Sequence, residues 1–391
     1  MSGEWGVEPD DDFGVKIIRT ANFTNLGIID FSKIVFRKIE PKKVEQKKLI
    51  SGDVIIEKSG GSPTQPVGRV VYFENPDNST YLCNNFTSVL RPNKSIVFPK
   101  FLFYVLFYNH LTKKTLRFQN KTTGIINLKL ENYLNSKIPL PPLEDQIRIA
   151  AVLTRAEKLI AKRKESIKAL DEFLKSTFLE MFGDPVRNEK GWERKRIDEI
   201  ADTRLGKMRD KQFITGKYLK YYLGNSNVRW FSFDFDALEQ MDFDKNEQVK
   251  FSLQYGDLLI CEGGEIGRCA IWKCQKENLY FQKALHRLRV YKETVYQEYL
   301  AYVFYLYSIG NGFKNVSNKA TIAHLTGEKL KETLVPVPPL PLQTQFATIV
   351  EKVESLKSRY AQSLTELENL YGSLSQRAFK GELDLSGVPL G

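Results

Sequence analysis

Ile138-Pro139-Leu140-Pro141-Pro142-Leu143, with Gln146 three residues on, is the stretch on which the fold turns. It returns as Val335-Pro336-Val337-Pro338-Pro339-Leu340, with Gln343 three residues on. The offset is 197 residues, and it persists to Phe182 and Phe379. Upstream, Gly124-Ile125-Ile126-Asn127-Leu128 matches Thr321-Ile322-Ala323-His324-Leu325 at the same offset. Phe101 to Val105 matches Tyr299 to Val303 at 198, as Leu90-Arg91 matches Leu288-Arg289. Gly52-Asp53 matches Gly256-Asp257 at 204, so loops of differing length separate the matched blocks. A period near 200 residues is too long for a solenoid unit and identifies a duplicated module.

Each module ends in a long helix. After Pro142 neither Pro nor Gly occurs until Gly183. With Gln146 as heptad position a, the first seam holds Leu153, Ile160, Ile167 and Leu174 at a and Leu170 at d, with Arg163 also at d. The second holds Val350, Leu364 and Lys357 at a, and Val353, Tyr360 and Leu367 at d. Four or more heptads in each helix make a coiled-coil pattern. At 1.5 Å per residue such a helix of ~36 residues spans roughly 54 Å. Each apolar seam needs a partner. Mutual antiparallel pairing of the two is the economical solution, and it sets the two globular blocks at opposite ends about a pseudo-two-fold. Two separate coils, each bound to another protein, is the competing arrangement. The charged seam residues Arg163 and Lys357 either fix register or bridge to acids of the partner helix.

Each module begins with a mixed domain. Short runs such as Val54-Ile55-Ile56 and Asp257-Leu258-Leu259-Ile260-Cys261 alternate with Gly, Asn, Asp and Pro turns and read as strands. Pro99 to Leu111 and Tyr296 to Ser308 read as helices. The expected fold is therefore α+β, with two α/β domains and an antiparallel coiled coil. The boundaries fall at 1–142, 143–182, 183–342 and 343–391, for domain, helix, domain, and helix with tail.

At 391 residues, 42% of them hydrophobic, the chain is too apolar for a disordered protein. It has no apolar run long enough to span a membrane and no secretory leader pattern. Four cysteines are no disulfide framework, and a reducing cytoplasm is expected. The net charge is +11. It lies in the two mixed blocks: +7 in residues 1–142 (20 basic, 13 acidic) and +4 in 183–342 (25 basic, 21 acidic). A basic excess favours a polyanion, most often nucleic acid.

Catalytic patterns are missing. No phosphate-binding Gly-rich loop ending in Gly-Lys-Ser/Thr occurs, and no G-x-S-x-G elbow. The three histidines are far apart. Cys269 and Cys274 have no second pair to complete a zinc site and read as buried strand cysteines.

The duplicated order of these blocks resembles the specificity subunit of type I restriction-modification enzymes, over nearly the whole chain. The resemblance rests on the proline blocks with their glutamines. It rests also on Gly52-Asp53 and Gly256-Asp257, each followed by a Gly-rich turn (Gly60-Gly61, Gly263-Gly264) and a Gly-Arg pair (Gly68-Arg69, Gly267-Arg268). It implies two target-recognition domains, each reading half of a split double-stranded DNA sequence. It implies helices that fix the gap and dock methyltransferase subunits, and a motor-nuclease subunit that joins them. The chain itself is then a non-catalytic subunit in a prokaryotic cytoplasm. S-adenosylmethionine, ATP and Mg belong to the partner subunits. In one respect the chain departs from the pattern. The second domain has a lead-in, Trp192 to Gly206, whereas the first reaches the matching Asn22-Phe23 within twenty-odd residues, so its opening strand and helix are expected to be missing or altered.

Reading DNA calls for Arg, Lys, Asn and Gln on loops. In the first domain the candidates are Arg19, Asn22, Lys58, Gln65, Arg69, Arg117, Gln119 and Lys121, with Gly60 and Gly61 admitting close approach. In the second they are Arg204, Lys207, Arg209, Lys211, Asn225, Asn227, Arg229, Arg268, Lys314 and Lys319, with Gly263 and Gly264. Arg69 and Arg268 are equally readable as structural, each pinning its turn to a carboxylate. Two other functions stay open: a specificity subunit of a motor-less methylation system, and a coiled-coil docking scaffold that reads no DNA.

Overall fold

In the computed structural model of the chain, residues 1–9, 14–122, 125–208, 216–274, 276–313 and 324–389 are described. They divide into two compact units, Met1–Lys164 with Gln362–Gly391, and Glu165–Ala361. The architecture rests on helices α1 (Pro99–Leu111), α2 (Leu143–Phe182), α3 (Gln297–Ile309) and α4 (Leu340–Lys380). The division between units cuts both α2 and α4, so each unit joins one mixed domain to half of each long helix. α4 begins at Leu340, three residues before the expected boundary, because a proline in the first turn (Pro341) costs no hydrogen bond.

The glutamine after each proline block has one structural task, performed twice. Gln146 accepts from the backbone N–H of Phe98 (2.8 Å) and donates to the carbonyls of Ile96 (3.0 Å) and Pro141 (2.9 Å). Gln343 accepts from Tyr296 N–H (2.9 Å) and donates to Pro338 (2.7 Å) and Thr294 (3.4 Å). Each therefore fastens a long helix to the turn that launches α1 or α3. Gln146→Leu strands a buried N–H and two carbonyls. It is expected to cost about 2–4 kcal/mol, read as a lowered urea midpoint at unchanged slope.

Within the first unit, Glu157 meets Tyr371 and Lys164 meets Glu368. Within the second, Asp171 meets Lys357 and Phe178 meets Phe346. Rising numbers in α2 meet falling numbers in α4, so the helices run antiparallel in both units. Lys357 thus bridges to the facing helix, with Asp171 at 2.7 Å and Glu354 of its own helix at 3.1 Å. Leu153, Leu174, Val350 and Val353 are buried, whereas Ile160, Ile167, Leu170, Tyr360, Leu364 and Leu367 are half-buried. Two helices alone cannot enclose a seam, and full burial is reached where a mixed domain covers it. Phe178 and Phe182 lie off the heptad seam yet are fully buried against α3.

The first unit holds an antiparallel sheet ordered β2 (Val70–Tyr72), β1 (Val54–Glu57), β3 (Thr87–Leu90). The second holds β4 (Ala201–Leu205), β7 (Leu285–Val290), β5 (Leu258–Cys261), β6 (Cys269–Ile271) in that order. A fork-to-carboxylate pair locks each. Arg91 Nε and Nη2 donate to the two oxygens of Asp53, both at 2.8 Å, and Arg289 does the same to Asp257 at 2.7 and 2.8 Å. The matched Gly-Asp and Leu-Arg dipeptides are the two halves of this one contact. Each unit also has a small sheet whose middle strand pairs antiparallel on one side and parallel on the other. These middle strands are Val15–Ile18 and Leu219–Leu223.

Of the second domain's lead-in, the strand Arg194–Arg196 and helix Ile197–Ile200 have no counterpart before Val15 among the described residues, but the strand that follows them does. Met1 and Val89 exchange backbone hydrogen bonds and Gly3 N–H donates to Thr87, so residues 1–3 run along β3 as β4 runs along β7. Gly3 and Gly206 occupy matching places. A Cβ would sit 2.0 Å from the Asn84 carbonyl oxygen at one and 2.3 Å from that of Gln282 at the other.

His286 on β7 is 1% exposed and bonds the Leu325 carbonyl through Nε2 at 2.9 Å. Burial lowers its pKa from the ordinary 6.5, against a smaller opposing effect of that bond. Its contribution is present above the unfolded value and is lost as pH falls through the lower folded one. The melting temperature is therefore expected to drop as pH is taken from 7 to 5. His286→Asn, which keeps a donor but does not titrate, should flatten that profile.

Candidate nucleic-acid interface

In the first unit the turn between β1 and β2 gathers most of the candidates. Ser59–Gly61 pairs with Ile125–Leu128, which pairs with Gln119–Thr122. Gln119 Nε2 donates to the Val67 carbonyl at 3.1 Å. Lys58, Gly60, Gly61 and Gln65 thereby join Arg117, Gln119 and the backbone of Lys121. Gly60 (φ +97°) is exposed and a Cβ there would meet nothing within 4 Å, so another backbone can approach it closely. Gly61 instead packs on Val67 and is structural. Gln65 and Arg117 are exposed, and Lys58 Nζ reaches the Ser2 hydroxyl at 2.5 Å.

Arg19, Asn22 and Arg69 form a second group behind that turn. Arg69 is structural: it forks onto Glu57 (2.9 and 2.8 Å) and donates to the carbonyls of Phe23 (3.1 Å) and Thr20 (3.2 Å). Arg19 donates to the Lys33 carbonyl at 2.9 Å. Asn22 does not face solvent. It is 0% exposed, accepts from Arg19 N–H (2.8 Å) and donates to the Asp30 carbonyl (2.9 Å). Asn227 repeats this, accepting from Gly224 N–H (2.9 Å) and donating to Asp234 (3.0 Å). Both asparagines close a turn with their side-chain amides, and their burial keeps those amides away from a base edge.

In the second unit Asn225 donates to the Gly263 carbonyl (3.2 Å), and Arg268 donates to the Asn225 carbonyl (3.0 Å). Arg268 has no fork partner among the described residues, because Cys261 stands where the first unit has Glu57; Glu265 lies 3.6 Å away. Gly264 is exposed, while Gly263 is buried with a Cβ position 2.9 Å from His324 Nδ1. Arg229 is exposed on the hairpin Val228–Phe233 and pairs with Asp234 at 3.2 Å. Lys207 is held by Glu247 (2.5 Å) and the Asp242 carbonyl (2.6 Å). Arg204 lies opposite Arg287 across the β4–β7 pair. Arg209, Lys211, Lys314 and Lys319 fall outside the described residues.

Lys113 and Lys114 were overlooked in the sequence. With Arg117 they make three exposed cations within five residues, just ahead of Gln119–Thr122. Lys114 lies over the Tyr108 ring (5.3 Å) and Arg117 over that of Phe118 (4.7 Å), which spreads the cations along the surface. A short charge run beside other loop candidates was the available signal.

The cysteines also differ from expectation. Cys269 is buried in β6, but Cys274 is exposed in the turn after it. Among the described residues no group of three or more His, Cys, Asp or Glu is placed to hold a metal, and no helix is long and apolar enough to cross a membrane. The arrangement offers exposed cations for phosphates, the Gln65 amide for a base edge, and open glycines for close backbone approach.

Comparison with known proteins identifies the family. The type I restriction modification DNA specificity domain family matches residues 8–169 and again 189–369. The type I restriction enzyme EcoKI specificity subunit of Escherichia coli K12 is 27% identical over 401 residues, covering 95% of this chain and 83% of that protein. The MjaVIII specificity subunit of Methanocaldococcus jannaschii is 25% identical over 292 residues, covering 68% of this chain and 66% of that one. Among solved structures, a chain from a study of assembly and conformational transition in the type I R-M system superposes with TM-score 0.60. It is 20% identical, covering 94% of this chain and 92% of that one. The type I restriction-modification S subunit from M. genitalium gives TM-score 0.54 at 14% identity, covering 97% and 92%. At those identities the two structures speak for the fold. With the domain matched once in each half of a duplicated chain, this protein belongs to the type I restriction modification DNA specificity domain family and carries that domain twice.

Proposed function

We propose that the chain is the DNA sequence-specificity subunit of a type I restriction-modification system. The observation that carries this reading is the twofold match to the DNA specificity domain, on a chain whose two mixed domains share their pins but not their loops. Each domain reads one half of a bipartite target. The two turns after β1 and β5 differ in length and in side chains, so the half-sites differ and the whole target is asymmetric. The coiled coil sets the gap between half-sites and offers its outer faces to methyltransferase subunits. A motor-nuclease subunit joins that core.

The chain contributes recognition and no bond-breaking step. S-adenosylmethionine is the methyltransferase's cofactor, and ATP and Mg are the motor's. Co-expression with the neighbouring methyltransferase gene, followed by modification mapping of genomic DNA, tests the reading. Methylation at a split motif with one fixed gap is the expected result. A stable complex with no methylated motif would make the chain a docking scaffold, and absence of any complex would overturn the assignment.

A further inference from the structure

The duplication allows one unit to be read against the other, and at one place they disagree. In the second unit, Lys357 on α4 lies between Glu354 (3.1 Å) and Asp171 (2.7 Å), and Trp230 of the hairpin packs edge-on to Tyr305 of α3 (5.1 Å). Only about 30 Å³ is left open in the angle between the hairpin, α3 and the coil, lined by Phe231, Tyr302, Val350 and Glu354. At the repeat offset of 197, Glu157 corresponds to Glu354, Glu368 to Asp171, and Ile160 to Lys357.

The first unit has thus kept both carboxylates and lost the lysine. Glu157 is held by the Tyr104 hydroxyl (2.7 Å) and the Tyr371 hydroxyl (3.1 Å). Glu368 is taken by Lys164 at 2.8 Å. The angle stays open as a cleft of about 240 Å³, lined by Glu157, by Leu26, Ile28, Phe107 and Ile160, and by the paired Lys164 and Glu368. Leu26, Ile28 and Leu111 are 56%, 58% and 51% exposed, three large apolar side chains left in water around one opening. Burial holds the Glu157 carboxyl above its ordinary value, with the tyrosine hydroxyls and then Lys100 acting the other way. Lys100 itself lies over the Tyr72 ring at 5.4 Å.

We propose that this cleft is a binding site for a primary ammonium group on an aliphatic stem, filled by a lysine side chain of a partner protein. The stem covers Leu26, Ile28 and Ile160, and the ammonium reaches the remaining lone pairs of Glu157, as Lys357 reaches Glu354 within the chain. Each carboxylate oxygen of Glu157 accepts one tyrosine hydroxyl and retains capacity for a second donor. The attraction between an ammonium and a carboxylate strengthens as water is excluded, and among the described residues no cation is bridged directly to Glu157. The second unit supplies the pattern for the occupant: a lysine on a helix.

The test has two arms. In the first, the full chain with labelled isoleucine methyls is titrated with n-butylammonium chloride at constant ionic strength, and with n-butanol as the uncharged control. Shifts confined to Ile28 and Ile160 are expected. Butanol should bind roughly tenfold more weakly, and Glu157→Gln should weaken butylammonium binding by about the same factor. Ile160→Lys, which restores the second unit's arrangement, should abolish it. Equal binding of butanol, or indifference to Glu157→Gln, would sink the ammonium site. In the second arm, zero-length carbodiimide coupling is applied to the complex with the methyltransferase subunit; this arm alone rests on the function proposed above. A Glu157-to-lysine link to that subunit is expected. Butylammonium binding without such a link would overturn the partner lysine and point to a free amine. Failure of the complex to form or methylate would be seen separately, because the first arm uses this chain alone.

Discussion

Raising salt from 50 to 200 mM is expected to weaken specific DNA binding by about 10³- to 10⁵-fold, the loss that follows when roughly 6–10 phosphates are neutralised and their counterions released. The charge supports contacts of this number. The chain carries a net +11, and its excess lies in the two mixed domains rather than in the coil. Lys113, Lys114 and Arg117 are exposed beside the candidate turn and have no carboxylate bridged to them among the described residues. Replacing all three with alanine should reduce the slope of log K against log salt by about 3, near 0.9 per lost phosphate contact. Fluorescence anisotropy across a salt series, on DNA carrying the mapped motif, measures both quantities. An unchanged slope in the triple variant would remove this surface from the interface. A change in the preferred sequence instead would make these side chains readers of bases.

The second large effect concerns the fold. Phe178→Ala should destabilise the second unit by about 3–5 kcal/mol, the usual cost of emptying a fully enclosed aromatic site. The ring is 0% exposed and packs on four others. Its centroid lies 4.9 Å from Phe182, 5.3 Å from Phe346, 5.4 Å from Tyr299 and 6.0 Å from Tyr302. Those rings come from α2, α3 and α4, so one cavity loosens three helices at once. Three of the four tryptophans, Trp192, Trp230 and Trp272, lie in this unit, so denaturation followed by tryptophan fluorescence reports chiefly on it. A loss under about 1 kcal/mol would mean that the site collapses on deletion, contrary to the packing described.

The elements most legible in the sequence are those whose partner is also written in it. Gly52-Asp53 and Leu90-Arg91 recur together because an arginine fork needs its aspartate. Gln146 and Gln343 recur behind the proline blocks because each must satisfy one N–H and two carbonyls. The heptads of α2 and α4 were legible for a similar reason, since one seam is the other's partner. What could not be read was direction. An asparagine at a turn has the same letters whether its amide faces a base or its own backbone, and Asn22 and Asn227 do the latter. Arg69 and Arg268 carry the same dipeptide, yet only Arg69 forks onto a glutamate, because the deciding residue, Glu57 or Cys261, lies on another strand. Phe178 and Phe182 escaped because they obey the domain core and not the heptad.

The four thiols sort themselves by accessibility into a ready-made labelling scheme. Cys83, Cys261 and Cys269 are buried, and desolvation pushes the Cys261 thiol up to about 11, so little thiolate is present there at neutral pH. Cys274 stands in solvent at the end of β6. A single dye attached to the unmutated chain with a maleimide should therefore report from one known point on the second unit, leaving the basic loops of the first unit free of any probe.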